Sequence, residues 1–74
     1  MSVESELTLA ERHADLAQEQ VMRQRALVEA LEQAGEATRY AKMMLTIWES
    51  SLGRHQLRIV ALRAQRMLRE LYGA

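Results

Sequence analysis

A single glycine, Gly35, separates two long stretches of helical periodicity in this 74-residue sequence. Glycine adopts the left-handed backbone conformation that commonly ends a helix without the steric penalty of a side chain. Thr38 can then accept a hydrogen bond from the free amides that open the next helix. The pattern predicts a helix over about residues 4–34, a turn at 35–38 and a second helix over about 39–71.

Both stretches repeat apolar residues at alternating spacings of three and four, which is the pattern of a coiled-coil seam. The second row passes Gly53 undisturbed, so we interpret that glycine as a weak spot in a continuous helix. The two rows predict an all-α, antiparallel, coiled-coil-like hairpin of two helices, forming one domain over residues 1–74. The first row is Leu7, Ala10, Ala14, Ala17, Val21, Gln24, Val28 and Leu31, and the second is Ala41, Leu45, Trp48, Leu52, His55, Ile59 and Leu62.

The charges beside the two rows test how the chain folds back. When the chain turns at Gly35, the residues on one side of the rows meet in order along the hairpin. Three of the four resulting pairs are opposite in sign, and a shift by one heptad would bring like charges together. Exposed pairs stabilise by only about 0–1 kcal/mol each, so we expect them mainly to select the register. The pairs are Glu11 with Arg63, Gln18 with Gln56, Arg25 with Glu49, and Glu32 with Lys42.

The other side of the two rows is apolar, and the size of the chain suggests why. A chain this short buries only about 60% of its unfolded surface, so it usually needs disulfides, a metal or a partner chain. The sequence contains no cysteine, which leaves association. We therefore predict a homodimer in which two hairpins meet through this side as a four-helix bundle. The predicted dimer interface is Leu9, Leu16, Leu27, Met44, Ile47 and Leu68.

Composition and the N-terminal segment predict a cytoplasmic protein that does not contact membranes. The N-terminal segment has acids where a signal peptide needs a basic start and an apolar run. No stretch approaches the roughly 20 apolar residues that span a bilayer. The absence of cysteine fits a reducing compartment. Ten basic residues balance ten acidic ones, so no net charge recruits a membrane surface.

Arginines in the last third of the chain give an alternative function. Arg54, Arg58, Arg66 and Arg69 are candidate contacts for RNA or DNA phosphates. The hairpin, however, lays this segment beside the acidic start of the first helix, which lowers the local positive potential. No aromatic side chain for base stacking lies among the arginines. We therefore expect no nucleic-acid partner and keep RNA or DNA binding by a hairpin dimer as the alternative.

No pattern typical of an enzyme or a cofactor site is present. The serines lack a nearby base with an orienting carboxylate, and there is no glycine-rich phosphate loop. We also expect a two-helix hairpin to lack a concave pocket of the usual few hundred Å³. We interpret His13 and His55 as structural or partly exposed, because a metal site needs further converging ligands; a pH-sensitive interface is the lesser alternative. The prediction is no catalytic residue, no cofactor and no metal.

Four large side chains cluster near the predicted turn. Because methionine adapts to varied surfaces, they could form a groove for a partner helix. Residues at this spacing more often cap the end of a bundle core, and we favour that interpretation. The four are Tyr40, Met43, Met44 and Trp48.

The middle of the chain resembles a group of short uncharacterised bacterial proteins. Their shared pattern is an RQxxLVxxLE run, a glycine and a threonine at the turn, and a periodic second helix. The resemblance covers about residues 12–55 and implies a bacterial source, with no established activity and no functional residues. The predicted dimer is also similar in architecture to the small RNA-binding hairpin dimer that regulates plasmid copy number, which supplies the alternative function. The matching residues are Arg23 to Glu32, Gly35, Thr38, Ala41 and Leu45.

These features together predict a non-enzymatic protein that acts through protein–protein contacts, or as a small regulator, in the form of a homo-oligomeric helical bundle. A protein partner is a further expectation. Docking on a larger enzyme and pairing with a toxin as its antitoxin are two forms that such a contact can take.

Overall fold

Two antiparallel helices make up the fold. A computed structural model describes residues 2–73, with helix α1 over Val3–Gln33 and helix α2 over Arg39–Tyr72. The hairpin is a rod with principal extents of 59 × 16 × 14 Å. The predicted all-α antiparallel hairpin is confirmed, and the predicted helix limits differ from these by one residue at most. Gly53 lies inside α2, which is continuous there as predicted.

α1 begins at a side-chain cap. The Ser5 amide donates a hydrogen bond to Oγ of Ser2 at 3.1 Å, which satisfies one of the amides left free in the first turn. Glu4 and Glu6 lie in the same turn, where their negative charge complements the positive end of the helix dipole. The local sequence therefore determines where α1 starts.

α1 ends at Gly35 in a Schellman motif. The Gly35 amide donates to the Glu32 carbonyl at 3.1 Å, and the Glu36 amide donates to the Leu31 carbonyl at 2.9 Å. Gly35 has φ of 72°, in the left-handed region that favours glycine. The reversal between the helices thus takes place at the predicted glycine.

Thr38 does not cap α2 in the predicted way. Its side chain makes no capping hydrogen bond, although its carbonyl accepts the Lys42 amide at 2.8 Å. A capping side chain requires extended backbone at its own residue. Thr38 instead has φ −115° and ψ −4°, close to helical values, so the prediction of a threonine cap is wrong.

The predicted seam forms the core of the hairpin. Every residue of both rows is buried or half-buried. Leu7, Ala10 and Leu62 form one buried cluster, with Ile59 packed against it. Val21, at the centre of α1, is fully buried. The alanines let the two helix backbones approach closely, so the core is narrow and its buried side chains are mostly small.

The two helices stay together at their open end. Val3, the first residue of α1, is only 3% exposed, and Arg66, at the next seam position of α2 after Leu62, is half-buried. α2 continues to Tyr72, where the Gly73 amide donates to the Arg69 carbonyl at 3.0 Å. Val3 and Arg66 are thus covered near the open end, whereas residues 67–72 are all exposed.

Within residues 2–73, neither helix combines the length and the apolar character needed to cross a lipid bilayer.

Candidate interaction surface and histidine groove

Three ion pairs between the helices fix the register. Nη2 of Arg25 lies 3.0 Å from Oε2 of Glu49. The Glu32–Lys42 pair has a nitrogen–oxygen distance of 3.8 Å and the Glu11–Arg63 pair one of 3.9 Å. All three predicted opposite-sign pairs are thus present along one side of the hairpin, which we call the charged flank. This register also determines which residues of the two helices lie together on the opposite side of the hairpin.

The opposite side carries the six predicted interface residues, and we call it the apolar flank. Five of the six are exposed: Leu9 at 42%, Leu16 at 61%, Leu27 at 47%, Ile47 at 50% and Leu68 at 56%. Met44 is half-buried, because it packs partly within the hairpin itself. Large apolar side chains therefore recur along this side of the hairpin, with polar side chains such as Gln20, Arg23 and Arg58 between them.

The apolar flank contains a groove. An open depression of about 480 Å³ lies midway along the hairpin, and we call it the histidine groove. A smaller one of about 270 Å³ adjoins it toward the open end, between Glu6, Leu9 and Arg58. The expectation of no concave pocket is therefore wrong, because small seam residues such as Ala17 leave space beside Trp48. The histidine groove is lined by His13, Leu16, Ala17, Glu19, Gln20, Arg23, Trp48, Ser51 and His55.

Two histidines from different helices meet in this groove. The ring centroids of His13 and His55 are 5.6 Å apart, and the ring planes are inclined at 56°. His13 is exposed and His55 is half-buried. The sequence interpretation treats the two residues separately. The register that joins Glu11 to Arg63 places His55 nearest to Glu19 and His13 nearest to Ala61, so the two residues lie more than one helical turn apart along the hairpin and the register alone does not predict their contact.

The four large residues near the turn do not form one cap. Met44 and Trp48 are half-buried and contribute to the core. Tyr40 is 70% exposed and Met43 is 52% exposed, so the core interpretation holds for only two of the four. Helix α2 turns Tyr40 and Met43 away from α1, because they lie off the seam positions.

A second apolar surface lies on the outside of the C-terminal half of α2, and we call it the outer stripe. Its large side chains are more exposed than most of the apolar flank, with Leu57 at 71% and Leu71 at 69%. The three- and four-residue spacing repeats the pattern of the seam on the side turned away from α1. The predicted interface left these residues out. The outer stripe consists of Leu57, Val60, Ala61, Ala64, Met67 and Leu71.

The four candidate nucleic-acid contacts differ in their surroundings. Arg54, Arg58 and Arg69 are exposed, whereas Arg66 is half-buried at a seam position. Within residues 2–73, none of the four takes part in an ion pair. Among the described residues, the C-terminal arginines therefore form only one ion pair with the acidic start of α1, between Arg63 and Glu11.

Comparisons with known proteins add no relative to this picture. No protein-family model matches the sequence, no curated protein matches it, and no solved structure matches the fold. The likeness to short bacterial proteins stays an expectation. Function is therefore inferred from the surfaces of the hairpin alone.

Proposed function

We propose that this chain is a non-enzymatic interaction protein that works as a homodimeric four-helix bundle, either binding a protein partner or acting as a small regulator. The observation that carries this proposal is the distribution of large apolar side chains. The buried core is made of three Val, three Ala and two Leu residues, whereas thirteen large hydrophobic residues of the described chain are exposed, five of them on the apolar flank. Exposed apolar surface of this extent is typical of an interaction site.

Surface area supports the same proposal. The hairpin exposes 5719 Å², whereas a compact monomer of its mass, 8.5 kDa, exposes about 4,650 Å². The excess of roughly 1,100 Å² exceeds the about 800 Å² that each partner contributes to an interface of standard size. The elongated shape of the hairpin, 59 × 16 × 14 Å, thus leaves enough surface for an interface of that size.

The two flanks favour pairing of hairpins through one side only. The charged flank carries the three cross-helix ion pairs, and these groups stay hydrated on the outside of the proposed bundle. The apolar flank offers Leu9, Leu16 and Leu27 from α1 beside Ile47 and Leu68 from α2. A two-fold arrangement then places the same residues on both copies, as a self-complementary interface requires. We place this activity in the cytoplasm, an expectation with which the cysteine-free sequence is compatible.

A pair of double variants tests the interface. Leu27 and Ile47 are each about half exposed, so replacing both by Glu places charge in the proposed interface without emptying the hairpin core. Met22 and Met43 are similarly exposed but lie off the apolar flank, so replacing both by Glu is a matched control. We expect Leu27→Glu with Ile47→Glu to halve the mass measured by light scattering, and Met22→Glu with Met43→Glu to leave it unchanged.

The melting temperature supplies a readout that does not need a folded monomer. A dimer melts at a temperature that rises with protein concentration, whereas a monomer does not. The wild type and the control variant should show this rise. If instead Leu57→Glu with Met67→Glu dissociates the protein and the Leu27 and Ile47 variant does not, then the outer stripe is the interface and the assignment to the apolar flank is wrong.

Nucleic-acid binding is the alternative function, and the absence of ion pairs to Arg54, Arg58, Arg66 and Arg69 within residues 2–73 is the observation that favours it. The chain has no net charge, and we expect no binding of structured RNA or duplex DNA at low salt. Binding that weakens steeply with added salt, and that is lost in Arg54→Gln with Arg58→Gln, would establish the alternative.

A further inference from the structure

We propose that His13 and His55 form a two-imidazole site for a divalent transition-metal cation of the class Cu²⁺, Ni²⁺ and Zn²⁺. The site uses residues of one copy only, so it does not rest on the proposed dimer. Imidazole nitrogen is a favoured ligand of these ions, whereas Mg²⁺ and Ca²⁺ prefer oxygen.

The distance between the rings fits two ligands of one ion. Metal–nitrogen bonds of about 2.0–2.1 Å place the ring centres of two imidazoles on one tetrahedral ion about 5 Å apart. The observed separation is 5.6 Å, with the planes inclined at 56° rather than stacked face to face. His13 is exposed, so rotation about its side-chain bonds can close the remaining difference.

The two imidazoles are available to an ion. Neither ring takes part in the side-chain hydrogen bonds or ion pairs formed among residues 2–73. The histidine groove is open, with a volume of about 480 Å³, which leaves room for an ion and its waters. In the single hairpin the groove is therefore a route for a hydrated cation to reach both rings, and pairing of two hairpins through the apolar flank would narrow that route.

The rest of the coordination shell comes from water. No group of three or more histidine, cysteine or acidic side chains within residues 2–73 is placed to hold a metal. Glu19 and Gln20 line the groove, but Glu19 lies 4.0 Å from Arg23, whose positive charge opposes a cation there. The site is thus a weak, exchangeable one with open positions, unlike a four-ligand structural zinc site.

Binding at this site would stabilise the hairpin. The two ligands come from α1 and α2, 42 positions apart (55 − 13), so an ion bound to both joins the helices midway along the rod. An ion that binds the folded chain and not the unfolded one raises the melting temperature, and the rise grows with the logarithm of the ion concentration once that concentration exceeds the dissociation constant. This link between cation and fold gives the proposal its test.

The experiment is thermal unfolding of the untagged chain with and without millimolar CuCl₂, NiCl₂, ZnCl₂ or MgCl₂. We expect the first three to raise the melting temperature by about 3 °C or more, EDTA to reverse the rise, and Mg²⁺ to have no effect. His13→Gln is the informative variant, because His13 is exposed and its loss leaves the core intact. It should remove the rise while leaving the metal-free melting temperature nearly unchanged.

Two further measurements prevent a misleading result. For His55→Gln only the metal-induced rise in melting temperature is compared, since the substitution of a half-buried residue changes the metal-free melting temperature as well. Electron paramagnetic resonance of the Cu²⁺ form should show nitrogen coupling from two imidazoles in the wild type and from one in His13→Gln. No rise with any of the three ions, a rise that persists in His13→Gln, or a mass that doubles only when the ion is added would each overturn the single-copy site.

Discussion

Nη2 of Arg25 on α1 donates a hydrogen bond to Oε2 of Glu49 on α2 at 3.0 Å, across 24 positions of sequence. It is the shortest of the three ion pairs between the helices. Both side chains are about half exposed, at 55% and 45%, so solvent screens the pair and its net stabilisation is small. Its role is to disfavour other registers, because a slipped hairpin would bring like charges together.

Charge reversal tests that role. Arg25→Glu places two carboxylates side by side and should lower the free energy of unfolding by about 0.5–1 kcal/mol. Adding Glu49→Arg should recover most of the loss, because the pair is restored with its polarity exchanged. Urea unfolding of the wild type, both single variants and the double variant gives the coupling free energy. A coupling free energy of zero would mean that this pair does not help to define the register.

Replacement by alanine should have opposite effects on stability at Gly35, in the turn, and at Gly53, inside α2. Gly35 has φ of 72°, so Gly35→Ala should destabilise the chain by roughly 1–2 kcal/mol. Gly53 lies within α2, and a methyl group there meets nothing within 4 Å, so Gly53→Ala should stabilise by about 0.5–1 kcal/mol. Equal effects of the two substitutions on the urea midpoint would contradict the different backbone conformations of the two glycines.

We expect alanine substitution to lower the free energy of unfolding strongly at the centre of the core and only slightly at the neighbouring residue. Val21 is fully buried, whereas its neighbour Met22 is 60% exposed. Val21→Ala should lower the free energy of unfolding by about 1.5–3 kcal/mol, because it leaves a cavity between the helices. Met22→Ala should change it by less than about 0.5 kcal/mol. A larger loss at Met22 than at Val21 in denaturant unfolding would show that Met22 is covered by another chain.

Periodicity and charge were sufficient to predict the hairpin. The seam rows follow directly from three- and four-residue spacing, and the ion pair between Glu11 and Arg63 follows from the position of Gly35. The absence of a side-chain cap at Thr38 could not be predicted, because residue type does not determine whether the backbone before a helix is extended. The structure shows φ −115° and ψ −4° there.

The surface features were less accessible to sequence reasoning. The histidine groove depends on the gap left where small residues such as Ala17 face Trp48, and such a gap is a property of packing. The contact between the His13 and His55 rings spans more than one helical turn, so it depends on the direction of both side chains as well as on the register. The exposure of the outer stripe around Leu57 could be recognised only after it was known which side of α2 faces α1.

The molecular mass in solution tests the proposed homodimer most directly. One chain has a mass of 8.5 kDa, and sedimentation equilibrium at tens of micromolar should give twice that value. The melting temperature should rise over the same range of concentration as the hairpins associate. A mass of one chain at every concentration, with a melting temperature that does not change, would contradict the four-helix bundle and the role assigned to the apolar flank.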